Sequence, residues 1–243
     1  AEKLFKRGVE STFPTRNVIN ARVAHLTAPT EEQMALGRGR CQARSVCDRG
    51  CSFGAYFSSK SATLPDARRT GNLTLVTDAI VQELVYDPQT NRVSGVRVVD
   101  QNTKEGRTYS ARVVFVNAST IASTMILLNS TSEAFPNGIA NSSGQLGRNL
   151  IDHFGDAWAG GTIEGLDEVY HAGRAPGGIY IPRYANVTEP TGDFLRGFGY
   201  QGGARRRGWT GDRPGVGADF KSANRTPGQW QIWIGAFAEM LPN

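Results

Sequence analysis

The clearest alternation of apolar and polar positions lies in the middle of the chain. "LTLVTDAIVQELVYD" (73–87) is rich in β-branched residues, "PQTN" (88–91) turns the chain, and "RVSGVRVVD" (92–100) returns. "QNTKEG" (101–106) turns it again, and "RTYSA" (107–111) makes a third strand. Short β-branched runs bounded by polar turns predict an antiparallel meander. The period then changes. "RVVFVNA" (112–118) has a continuous apolar centre, as in a parallel strand covered on both faces. "STIASTMILLNS" (119–130) predicts a deeply buried helix. Ile121, Met125 and Leu128 share one face, Ile126 and Leu127 widen it, and Ser119 or Thr120 stands at the N-cap.

The flanks are less regular. "NVINARVAHL" (17–26) alternates like a strand, and "TEEQMALG" (30–37) predicts a short helix. Thr30 and Gln33 have the spacing of a capping box, and Gly37 sits where a C-terminal cap is expected. "SATLPDARRTGN" (61–72) reads as a polar helix or loop. Beyond residue 155 the chain becomes rich in Gly and aromatics, and "IYIPRY" and "QWQIWIGAFAEM" predict antiparallel strands of a second region. A meander feeding a buried strand and helix gives a mixed α/β class, with residues 1–154 and 155–243 as the two expected domains. Ligands in such sheets collect at the carboxyl ends of the strands, which here is "NAST" (117–120).

The 243 residues suffice for one large domain or two small ones, and 39% hydrophobic with 20% charged residues is a globular composition. A net charge of +5, with "ARRRGW" (204–209) its densest stretch, reads as a solvated basic surface or a docking face for an acidic partner. No nucleic-acid motif accompanies it. No apolar run reaches the roughly 18 residues of a membrane span. The first residues carry no apolar stretch of a secretory signal. The strand-like "QWQIWIGAFAEM" lies just before the last residue, which suggests a truncated chain.

All three cysteines fall in "GRCQARSVCDRGCSFGAYFSS" (39–59), spaced Cys-x5-Cys-x3-Cys. Structural zinc favours paired Cys-x2–4-Cys units and four ligands, which this spacing lacks. Three readings stay open: Cys41, Cys47 and Cys51 as ligands of an iron–sulfur cluster, one disulfide with a thiol left over, or three unligated thiols. His25 and His171 are isolated and read as surface or hydrogen-bonded structural residues. Tyr180, Tyr184, Trp209, Trp230 and Trp233 have rings that suit either a sugar face or ordinary packing.

Three segments in order resemble the glucose-methanol-choline (GMC) family of flavin oxidoreductases. They are "GCSFGAYFSSKSATLPDARRTGNLTLVTDAIVQELVYD", "RVVFVNASTIASTMILLNS" and "FPNGIANSSGQLGRNLIDH". The departures are "NAST" for Ala-Ala-Gly-Ala, Thr124 for Pro, and Asn129-Ser130-Thr131 for a Ser-Gly ending. The resemblance implies part of an FAD-binding fold of the two-dinucleotide-binding type, with an antiparallel meander, and part of an antiparallel substrate domain. It implies FAD contacts at Val81 (through its backbone), Ala118, Ser119, Asn149, Asp152 and His153. Of these, His153 is a weak candidate base; local backbone fixing by Asp152 and His153 is the favoured role. The family's catalytic His, paired with His or Asn, has no counterpart here.

The family's Gly-x-Gly-x-x-Gly phosphate turn is also expected to be missing. "GRGRCQ" and "GVGADF" each supply only the first two glycines, so little tightly bound FAD is expected in this chain alone. The resemblance implies oxidation of a sugar or glycoside hydroxyl, with electrons passing to a non-oxygen acceptor, a small subunit or a cytochrome. It implies a cluster of the 3Fe-4S type on the three cysteines and a periplasmic or membrane-associated location in bacteria. An oxygen-using oxidase with structural cysteines is the first alternative; an inactive incomplete chain or a partner-binding module is the second.

Overall fold

The computed structural model describes residues 1–44, 47, 50–155, 157–166, 177–206, 215–225 and 228–241, the side chain of Asn224 excepted. The chain divides into two compact units, Ala1–Leu73 with Asp152–Met240, and Thr74–Ile151 with the last residues.

The first unit is built on a six-stranded antiparallel sheet. Its strands are β1 (Ile19–Asn20), β5 (His153–Phe154), β6 (Trp158–Ile163), β7 (Ile179–Ile181), β8 (Gly199–Arg206) and β9 (Trp230–Glu239), in spatial order β1-β7-β8-β9-β5 with β6 also on β9. The two runs expected as strands, "IYIPRY" and "QWQIWIGAFAEM", hold β7 and β9. "NVINARVAHL" supplies only the two residues of β1 and a bridge from His25 to Tyr56.

Register sorts the sheet into two faces, because directly paired residues share a face. Ile232 and Ile234 point with Ile179 and Ile181 into a core that also holds Val18 and, from helix α1 (Glu2–Thr12), Phe5 and Val9. Lys6 clips α1 to the strand entry, donating to the Val18 carbonyl at 2.6 Å and to Glu10. Helix α2 (Glu31–Ala35) has the expected capping box. Gln33 N–H donates to Thr30 Oγ1 (3.2 Å), Thr30 N–H donates to Gln33 Oε1 (3.0 Å), and Gly37 follows at φ +81°. Helices α3 (Thr63–Arg69) and α5 (Gly217–Arg225) are the other helices of this unit among the described residues.

The second unit holds the expected meander, β2 (Ala79–Asp87), β3 (Arg92–Asp100) and β4 (Gly106–Ser110), all antiparallel. Helix α4 (Ser119–Asn129) packs on β2. Two expectations are corrected. Residues 112–118 form no strand, and Val113 and Phe115 are 66% and 81% exposed. Among the described residues no parallel neighbour flanks this run, so it has no ladder to join. Helix α4 is not deeply buried: Ile121, Met125 and Leu128 are exposed, and Ile126 is its one buried residue. The cap also differs. Ala118 is the N-cap without a side-chain bond, and Ser119 lies at φ +69°. The described residues are thus a mixture of helices and antiparallel sheets.

Candidate functional site

The expected contacts of the adenosine end of FAD, Val81, Ala118 and Ser119, all belong to the second unit. Val81 sits on β2, one of the two edge strands of the three-stranded sheet, paired with Val98. A register shift follows at once between Val81 and Glu83, so the backbone bulges beside the residue expected to be read through its backbone. Ala118 and Ser119 open α4, where helix N–H groups face outward. The Ala118 N–H is itself taken by Ser123 Oγ at 3.1 Å. Edge-strand backbone and an open helix start are the kinds of group a nucleoside needs, so these residues fit that part of the cofactor.

The phosphate turn is a correction. The spacing Gly-x-Gly-x-x-Gly does occur once, in "GFGYQG" (197–202), which the expectation passed over. It does not fit a pyrophosphate. The segment runs into β8 of the antiparallel sheet, and Gly202 lies hard against the Trp233 carbonyl of β9. No strand-to-helix turn is formed there.

The "GRNLIDH" residues are placed as follows. Asn149 is exposed and donates to Gln145 Oε1 at 3.3 Å. Asp152 Oδ1 accepts the His153 N–H at 2.7 Å, and the Asp152 carbonyl accepts from Met240 N–H. His153 pairs with Glu239 across β5 and β9, and its Nδ1 lies 3.1 Å from Glu239 Oε1. Glu239 was invisible to sequence reasoning, because 86 residues separate the two.

The cysteine loop is folded against residues 24–26. Leu26 N–H donates to the Ala55 carbonyl, Phe57 N–H to Ala24, and Cys41 N–H to Leu26. This brings His25 Nε2 to 3.2 Å from Cys47 Sγ, and the His25 ring against Tyr56. The sequence reading placed no His near the cysteines; the ladder supplies one. Backbone N–H groups, that of Tyr56 foremost and those of Phe53, Ala55 and Gly54 with it, hold the Cys51 thiol below the ordinary thiol range. Cys41, Cys47 and Cys51 are in no disulfide. Among the described residues no group of three or more His, Cys, Asp or Glu side chains is arranged to hold a metal ion. The three sulfurs therefore do not fit the expected cluster as placed: Cys47 is turned to His25 and Cys51 to its own loop.

The aromatic candidates separate cleanly. Trp230 is in the core. Tyr184 is half-buried, with the Arg16 guanidinium 3.6 Å over its ring and Tyr200 stacked beside it. Burial, and then the hydrogen bond to Tyr184, push the Tyr200 phenol up to about 12. Trp233 is 40% exposed on the other face of the sheet. Trp209 and His171 lie outside the described residues.

Residues 18–155, more than half of the chain, match the family model described as GMC oxidoreductase. The chain belongs to the GMC oxidoreductase family. Similar GMC-family relatives include a fructose dehydrogenase large subunit from Gluconobacter japonicus, 29% identical over 51% of this chain and 24% of its own length. Paromamine 6'-oxidase from Streptomyces fradiae is 29% identical over 79% of this chain and 35% of its own. A 2-methyl-1,2-propanediol dehydrogenase from Mycolicibacterium austroafricanum is 29% identical over 45% and 20%. The chain thus matches at most about a third of the length of these GMC relatives. Among the described residues no helix is long and apolar enough to cross a membrane.

Proposed function

We propose that the full-length protein is an FAD-dependent oxidoreductase that oxidises a CH–OH group of a sugar or glycoside. The observation that carries this is the GMC match over residues 18–155, which spans Val81, Ala118, Ser119, Asn149, Asp152 and His153. The names of two relatives, a fructose dehydrogenase subunit and a paromamine oxidase, support a polyhydroxylated ring as substrate. Residues 1–154 are read as part of the FAD-binding domain and 155–243 as part of the substrate domain.

In this reading the backbone of β2 at Val81 holds the adenine, and Ala118 and Ser119 approach the adenosine-diphosphate part. When bound, FAD supplies the acceptor for a hydride. Asp152 fixes the turn into β5 through the His153 N–H, and Glu239 orients the His153 ring through Nδ1. No step is assigned to an iron–sulfur centre. Electrons pass to an acceptor other than oxygen, with a second subunit or a cytochrome as its source, in a periplasmic or membrane-associated setting. The name "large subunit" of one relative supports a partner. The oxidase name of the relative that aligns with 79% of this chain favours a second reading, in which oxygen is the acceptor.

The test is anaerobic titration of the purified full-length protein. A flavin spectrum bleached by sugars or glycosides, and re-oxidised by a quinone or ferricyanide faster than by air, is expected. Absence of flavin, or bleaching by simple aliphatic alcohols alone, overturns the reading. Rapid re-oxidation by air selects the oxidase.

A further inference from the structure

The first unit's sheet has one face in the core and one face open. The register places Trp158 opposite Gly235, Gly160 opposite Trp233 and Thr162 opposite Gln231 on the open face, with Arg205 across from Gln231. The two indoles touch, ring centroids 5.4 Å apart at 46°, and Phe237 meets Trp158 edge-on at 6.2 Å. Trp158 is 54% exposed and Trp233 40%.

Large aromatic rings left open in a sheet call for an explanation, and here glycines set their posture. A Cβ on Gly235 would stand 2.5 Å from the Trp158 ring, so that ring lies down over the strand instead of standing off it. A Cβ on Gly203 would meet the edge of the Trp233 ring at 3.7 Å, an ordinary contact. Polar groups border the rings. Thr162, Arg205 and Gln231 line, with Trp233, Gly160 and Gly161, an open pocket of about 540 Å³. Pockets of this size accept small organic ligands. Arg205 makes no ion pair among the described residues.

We propose that this open face, with Trp158 and Trp233 as its floor and Thr162, Arg205 and Gln231 as its rim, is a carbohydrate-binding platform for a neutral pyranose ring. The electron-rich ring faces attract the polarised axial C–H groups of a sugar. A carboxamide, a hydroxyl and a forked guanidinium supply donors and acceptors for the equatorial hydroxyls around it. A protein-docking face would present a closed apolar centre, whereas here the polar Thr162, Gln231 and Arg205 occupy the register row next to Trp233 on the same face. The choice of ligand rests on the sugar-oxidation reading; the platform itself rests on the open face.

The experiment uses the full-length flavin-loaded protein and two readouts. The first is the kinetics of Trp158→Ala and Trp233→Ala with pyranosides and with a short acyclic diol. KM for the pyranoside is expected to rise about tenfold, the equivalent of about 1.4 kcal/mol, with the diol little changed. Trp→Phe versions are expected to recover most of the loss. Equal shifts for both substrates, or none, overturn the platform. The second readout is protection of Trp158 from N-bromosuccinimide by pyranosides in the unsubstituted protein, scored by peptide mass, which stands if an alanine variant fails to fold. Protection without turnover of any sugar keeps the platform and sinks the oxidation reading. Sugar turnover without protection sinks the platform alone.

Discussion

Ser130 Oγ accepts the backbone N–H of Leu84 at 2.8 Å and donates to the Ile126 carbonyl at 2.6 Å. Ser130 is only 2% exposed, so one hydroxyl satisfies two backbone groups away from water and joins β2 to the end of α4. The same two elements carry Val81 and Ala118. Replacement Ser130→Ala leaves the Leu84 N–H without its partner. A loss of about 1–3 kcal/mol is expected, read as a shift in the urea midpoint of flavin-bound protein.

The capping box on α2 is a local device. Thr30→Ala removes the acceptor for the Gln33 N–H. The expected cost is about 1 kcal/mol, seen as faster amide exchange at residues 33–36 with the distant strands unchanged.

Cys51 is expected to react as a thiolate at lower pH than an ordinary cysteine. Its cause is the Tyr56 N–H and its neighbours aimed at the sulfur. Iodoacetamide labelling against pH, read by peptide mass, should reach half its maximal rate for Cys51 below the usual thiol value of about 8.5. A midpoint at or above that value counts against the backbone cradle.

Two turn carboxylates give the meander an acid limit. Asp87 accepts from Thr90 Oγ1 at 2.7 Å and Gln89 N–H at 2.9 Å, and Asp100 accepts from Thr103 and Asn102 N–H. The Thr90 hydroxyl chiefly, and for Asp100 the Thr103 N–H, hold both carboxyls below the usual range. A lowered folded value stabilises above the unfolded pKa of about 4 and is lost as pH falls through the folded one. The difference in thermal midpoint between the natural protein and Asp87→Ala should be constant above pH 5 and narrow below pH 4.

Glycines in the large sheet are not equivalent. A Cβ on Gly202 would lie 2.2 Å from the Trp233 carbonyl oxygen, whereas one on Gly161 meets nothing within 4 Å. Gly202→Ala is expected to cost about 1–3 kcal/mol or more by forcing β8 from β9, and Gly161→Ala to be near neutral. Thermal unfolding of the pair makes the comparison.

What could be read from the residues followed how local the cause was. The meander was legible because Asp87–Asn91 and Asp100–Glu105 are turns closed by their own side chains, and the α2 cap because Thr30 and Gln33 are three apart. The apolar run 112–118 misled, since an apolar sequence states a preference for burial but cannot name the neighbour that buries it. The partners His153–Glu239 and His25–Cys47 were illegible for a related reason: sheet register and a short ladder, not spacing, bring them together. Trp158 escaped notice, although its signal is present. Trp158 pairs with Gly235 and Gly160 with Trp233, so each of these two indoles faces a glycine across the ladder.

The large sheet is assembled from both sides of an interruption. β1, near the start, finds its neighbour only at Ile179–Ile181, after the whole meander unit has been made. During synthesis on the ribosome, α1 and Val18 therefore emerge long before the residues that cover them, while the meander has all its strands in one contiguous stretch. The inserted meander can then close while Phe5, Val9 and Val18 still wait for Ile179 and Ile181, with which they share a core.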